Sequence, residues 1–154
     1  MTPDKATRAA TAAVDRYAAL ALRRDVSLGV LLSTHPRDFG VLLSAAAQVF
    51  PKGREFSERE VNDLLREFLG DAGSMLGTDH VELRRWLVDF HVLDRVGYGR
   101  VYTAGAPAAD IAGYCEQLAG VDLAAVARAA RDEEAARRAQ RKERWQKAQR
   151  DSHG

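Results

Sequence analysis

The sequence predicts a mainly α-helical protein with a small β-hairpin, and three observations carry that expectation. Apolar residues recur at helical spacing through Pro36–Phe50, Ser57–Leu69 and Asp79–Phe90. Ser57 with Glu60, and Asp79 with Glu82, stand where helix-capping residues belong. Gly97-Tyr98-Gly99 separates two short β-prone runs and suits a hairpin loop, because glycine accepts positive φ. From Arg54 to Tyr102 the order is therefore strand, helix, long turn, helix, hairpin. That is the order of a winged helix-turn-helix. Residues 35–104 are expected to form this core. Residues 1–34 read as an N-terminal helical extension, and residues 105–154 as a C-terminal helical extension with a basic tail.

Taken in order, Lys5–Arg24 reads as a helix with a narrow apolar stripe of Ala10, Ala13, Val14, Tyr17 and Ala21. Asp4 suits its start, and Arg23 and Arg24 suit its last turn. Val26–Leu32 reads as a second short helix. His35-Pro36 breaks the chain, since the residue before proline avoids helical angles, and Pro36 then opens a helix to about Phe50. Arg54-Glu55-Phe56 fits a single edge strand. In the Ser57 helix, Phe56 and Val61 form a hydrophobic staple, Val61, Leu64, Leu65, Phe68 and Leu69 face inward, and Gly70 is the expected stop.

Gly70–Thr78 is a longer turn than a minimal helix-turn-helix uses. In the following helix Leu83, Trp86, Leu87 and Phe90 point inward. Val92–Val96 and Arg100–Thr103 are the hairpin strands. A shorter helix then carries Ile111, Tyr114, Cys115 and Leu118 on one face, with Gly120 after it. Asp122 caps a long helix to about Arg150, docked through Leu123, Val126 and Ala130. Its outer half is expected to fray, with Asp151–Gly154 disordered.

Composition narrows the function classes. The net charge of +1 predicts neither nucleic-acid nor membrane binding by itself. Its distribution is uneven. Arg54–Arg100 holds seven basic and ten acidic residues, a net of −3, whereas Arg137–Arg150 holds seven basic residues against Glu143 alone, a net of +6. A single cysteine, Cys115, rules out an intrachain disulfide and fits a reducing compartment. No secretory signal and no apolar run of membrane-spanning length is visible, so a cytoplasmic protein is expected. No phosphate-binding glycine loop and no nucleophile-elbow motif occurs, and no catalysis, cofactor or metal is expected.

Phe50-Pro51, Phe56–Asn62, Asp79–Asp89, Leu93–Arg95 and Tyr102 together give the chain a family likeness. Roughly Leu42–Tyr102 resembles the bacterial domain of unknown function 2087, most specifically in its Asp-x-x-x-Leu-Arg-Arg segment. The resemblance implies a winged-helix-like fold in a bacterial protein and suggests transcriptional control. It transfers no catalytic residues.

On this reading the helix Asp79–Phe90 is a recognition helix. Thr78, Glu82, Arg85 and Asp89 share one outward row, and His80, Arg84 and Val88 the next. Arg84 and Arg85 are candidates for guanine edges or phosphates. The competing structural reading pairs Arg85 with Glu82 or Asp89 and uses Arg84 to anchor the preceding turn. Arg100, at the hairpin, is a candidate backbone contact. In the tail, Arg137, Arg138, Arg141, Lys142, Arg144 and Lys147 are candidate phosphate contacts, with Trp145 able to stack. The same tail also reads as an exposed, solubilising helix. His80 and His91 share a helical face only if the helix runs past Phe90, which makes them a weak metal pair. The expected partner is double-stranded DNA, with a homodimer through the terminal helices. The alternative is a protein-interaction module with no nucleic-acid role.

Overall fold

The computed structural model describes residues 5–98 and 100–153, with side chains from residue 12 onward. The element order is α1 (Lys5–Leu20), α2 (Leu28–Thr34), α3 (Pro36–Ala47), β1 (Glu55–Ser57), α4 (Glu58–Leu69), α5 (His80–Asp89), β2 (Leu93–Val96), β3 (Val101–Ala104), α6 (Ala109–Leu118) and α7 (Leu123–Ser152). The three strands form one antiparallel sheet in the order β1-β3-β2. Phe56 pairs with Tyr102 across β1 and β3, and Val96 pairs with Val101 across β2 and β3. The protein is thus mainly helical with a small sheet, as the sequence predicts.

Local chemistry explains the best-defined boundaries. Ser57 caps α4 reciprocally. Its hydroxyl accepts from the Glu60 amide at 3.1 Å, and Glu60 accepts from the Ser57 amide at 3.1 Å. This satisfies two donors that a helix start leaves open. Asp79 likewise accepts from the Glu82 amide at 2.8 Å and starts α5. The inward faces then meet. Val61, Leu65 and Phe68 of α4 and Leu83 and Leu87 of α5 are buried, each contributing roughly 1.5–3 kcal/mol by leaving water. Phe39 of α3 packs edge-on against Trp86 and Phe90.

Several boundaries differ from the sequence expectation. The first helix ends at Leu20, and Asp25 takes a left-handed φ of +52, so Arg23 and Arg24 lie beyond it rather than in its last turn. The expected cap Asp4 lies outside the described residues. The third helix stops at Ala47, and Gln48–Phe50 continue as turns. Gly70 closes α4 with a φ of −87, so no left-handed residue is needed there. Arg100 belongs to the hairpin loop, because the first pair of the ladder is Val96 with Val101. His91 has a φ of +59 and terminates α5, which removes the shared helical face that a His80–His91 metal pair requires. The last helix runs unbroken to Ser152.

The terminal extensions are structural parts of the same body. Tyr17 and Leu20 of α1 are fully buried and share one hydrophobic core with α3, α4, α5, Ile111 and Leu118 of α6, and Leu123 and Ala127 of α7. Ala13, Tyr17 and Ala21 of the α1 stripe are therefore covered by the same chain, while the side chain of Ala10 lies outside the described residues. Asp38 of α3 is buried, and Arg16 of α1 grips it with two hydrogen bonds, Nε to Oδ1 at 2.5 Å and Nη2 to Oδ2 at 2.7 Å. No described helix is long and apolar enough to cross a membrane.

Candidate nucleic-acid interface

The long turn between α4 and α5 is held from outside. The Tyr17 hydroxyl donates to the Ala72 carbonyl at 2.6 Å. The Val26 amide donates to Met75 O, and the Gly77 amide donates back to Val26 O. From α7, Arg131 donates to Ser74 Oγ at 2.9 Å, and Arg128 stands 3.9 Å from Asp71. Both terminal extensions thus fix the segment that sets how α5 follows α4. The turn is also tied internally, Ser74 to Asp71 and Leu76 to Gly73, and the braces from outside add partners for the Ala72 and Met75 carbonyls and the Gly77 amide.

α5 packs chiefly on α4, β2 and α3, and neither α6 nor α7 is among its principal neighbours. Glu82, Arg85 and Asp89 are exposed along its outer row, as expected. Val81 is 43% exposed beside them. Glu82 accepts from the Thr78 hydroxyl at 2.8 Å. Arg85 makes no ion pair or side-chain hydrogen bond among the described residues, so it does not pair with Glu82 or Asp89.

The neighbouring arginine behaves oppositely. Arg84 donates to Asn62 Oδ1 of α4 at 2.5 Å and lies 3.2 Å from Glu58, and its side chain is only 13% exposed. It anchors α5 to α4 itself, not to the preceding turn. Among the described residues the two adjacent arginines therefore divide into one internal tie and one cation without an ion pair. His80 is half-buried, with Nε2 3.4 Å from an Arg66 guanidinium nitrogen. Arg100 is exposed beside Tyr98, which stands fully in solvent at the hairpin tip. Arg95 lies over the Tyr102 ring at 5.7 Å.

In α7 every residue from Ala135 to Ser152 is exposed. A helix of that span projects roughly 27 Å at 1.5 Å per residue. Its cations again fall into two sets. Arg137, Arg138 and Arg141 all converge on the Glu134 carboxylate, at 3.3, 3.5 and 3.1 Å. The hydrogen bond from Arg141, with help from Arg137, holds the Glu134 carboxyl below its ordinary value. Lys142, Arg144 and Lys147 have no ion pair among the described residues. Trp145 is 63% exposed in their midst. The structure brings the base of α7 to the turn preceding α5, through Arg131 at Ser74 and Arg128 near Asp71.

Other chemistry is sparse. Cys115 is half-buried on α6, and burial pushes its thiol up. Among the described residues no group of three or more histidine, cysteine or carboxylate side chains is placed to hold a metal ion. Sequence reasoning missed the Arg84–Asn62 tie and the Arg131 brace. Both join residues distant in the chain, and neither leaves a local pattern.

No curated protein and no solved structure matches the chain. A family match does exist, running from the end of α2 to the end of β3 and leaving α1, α6 and α7 outside. Residues 32–104 match the model of the bacterial family described as "Uncharacterized protein conserved in bacteria (DUF2087)", the family that the sequence resembles.

Proposed function

We propose that the chain is a bacterial transcriptional regulator of winged-helix type that binds double-stranded DNA and performs no catalysis. One observation carries this reading. Among the described residues the outer row of α5 is uncovered, on the second helix of a helix–turn–helix backed by a β1-β3-β2 sheet. In that architecture the second helix enters the major groove. Arg85 is the side chain offered to a guanine edge or a phosphate. Arg84 fixes the seating of α5, while His80 and Arg100 flank the approach. The outer half of α7 adds sequence-independent attraction through Lys142, Arg144 and Lys147, with the Glu134-bound arginines behind them. Pairing of two copies on adjacent half-sites through the terminal helices belongs to the same proposal. A cytoplasmic location accompanies this role.

A second reading is favoured by a specific feature. Glu82 and Asp89 flank Arg85 on the same exposed row, where a phosphate backbone would repel them. On that reading the α5 face docks a basic protein surface. Duplex binding across a salt series separates the two, using the full chain, Arg85→Ala and a truncation after Ala136. The regulator reading expects steep salt dependence and weakened binding in both variants. Loss on truncation with no effect of Arg85→Ala reduces the DNA role to the tail. No binding by any of the three at low salt overturns the proposal.

A further inference from the structure

A depression of about 850 Å³ lies between the segment after α1 and the start of the exposed half of α7. Its charged lining is Arg23, Arg24, Asp25, Arg131, Glu134 and Arg138, and Ser74 of the α4–α5 turn also lines it. Four guanidinium groups from two distant parts of the chain thus face two carboxylates.

The fold does not need all of these cations. Arginines following a helix ordinarily serve its terminal carbonyls. Here that task falls to Arg131, which reaches across from α7 and donates through Nε to the Ala21 carbonyl at 3.2 Å. Its other contact is the Ser74 hydroxyl, so both of its acceptors are uncharged. Arg23 and Arg24 are exposed and form no ion pair among the described residues. Arg23 influences Asp38, but that carboxylate is already gripped by Arg16. Glu134 pairs with Arg138 at the rim and with Arg137 and Arg141 outside it, and Asp25 forms no ion pair among the described residues, so Arg23, Arg24 and Arg131 are left without a carboxylate partner there. Forked guanidinium groups left without carboxylates match phosphate oxygens in geometry and charge.

We infer that this depression, centred on Arg23 and Arg24 and walled by Arg131 and Arg138, is a binding site for the sugar–phosphate backbone of double-stranded nucleic acid. It is distinct from the outer row of α5 and from the far end of α7. It lies beside the turn that precedes α5, on the α1-to-α7 side of the molecule. The inference rests on the proposed DNA-binding role and adds a contact region contributed by both terminal extensions.

The test is fluorescence anisotropy with a short labelled DNA duplex, using the full chain across a salt series. Arg23→Ala with Arg24→Ala is compared with Arg23→Lys with Arg24→Lys and with Arg85→Ala. Two phosphate contacts correspond to a change of about 1.8 in the slope of log affinity against log salt, or roughly 60-fold at 0.1 M salt. The alanine pair is expected to show a flattened slope and weaker binding. The lysine pair is expected to keep most of the slope, because the charge remains. Both positions are exposed, so circular dichroism should match the unmodified chain. An unchanged slope in the alanine pair, while the unmodified chain binds and Arg85→Ala weakens binding, overturns this site and leaves the regulator reading standing. No duplex binding by the unmodified chain overturns both.

Discussion

Adjacent arginines on α5 should respond to mutation in opposite ways. Arg84→Ala removes a guanidinium that is 13% exposed and donates to Asn62 Oδ1 at 2.5 Å. A hydrogen bond to a charged group of this kind contributes about 1.5–3 kcal/mol. The 3.2 Å pairing with Glu58 adds little, ~0–1 kcal/mol, because Glu58 is half-exposed and screened. Arg84→Ala should therefore cost about 2–3 kcal/mol, a fall in Tm of roughly 4–12 °C for a chain of this size. Arg85→Ala should stay within about 0.5 kcal/mol, since the side chain is exposed and makes no ion pair or side-chain hydrogen bond among the described residues. Urea denaturation of both variants, with Asn62→Ala and the Arg84→Ala/Asn62→Ala double variant, checks this. A coupling energy of about 0.5–3 kcal/mol is expected between Arg84 and Asn62. Equal destabilisation by the two arginine variants, or a coupling near zero, would refute the division of roles.

Two further predictions concern the braces that hold α1. The Arg16 hydrogen bonds keep the Asp38 carboxyl below its ordinary value of 3.8. The resulting stability is fully present above the unfolded value and is lost as pH falls through the lower folded value. Asp38→Asn should be less stable than the unmodified chain at neutral pH, and urea midpoints of the two should converge in acid; a gap independent of pH would argue against the pairing. Burial pushes the Tyr17 hydroxyl up to about 12 from 10.0. Its stability contribution is whole below pH 10 and declines as pH rises towards 12. Tyr17→Phe should remove part of that alkaline loss and cost ~1–3 kcal/mol near neutrality, because the Ala72 carbonyl loses its 2.6 Å donor; an unchanged alkaline unfolding profile would count against it.

What the sequence made legible was what depends on near neighbours. The α4 start was readable because Ser57, Glu60, Phe56 and Val61 act within one turn of helix. The α5 start was readable from Asp79 for the same reason. The sheet was only half legible: β1 is three residues long, and its pairing with β3 joins Phe56 to Tyr102 across the whole helical pair. The candidate interface was legible as a helix face but not as a set of charges. Whether Arg84 or Arg85 points outward depends on Asn62, 22 residues away and outside any local pattern. Arg131 meets Ala21 across 110 residues, so its role as a brace could not be inferred from spacing. The α1 stripe shows the reverse failure. Periodicity correctly marked a buried face, but it is silent on whether that face is covered by the same chain or by a second copy.

Contact between the outer face of α5 and DNA is open to photo-crosslinking from that face. A benzophenone side chain placed at Val81 or at Arg85 should yield an adduct with duplex DNA on irradiation, while the same group at exposed Ala109 at the start of α6 should not. Adducts confined to protein, or DNA adducts from the α7 tail with none from either α5 position, would contradict the claim.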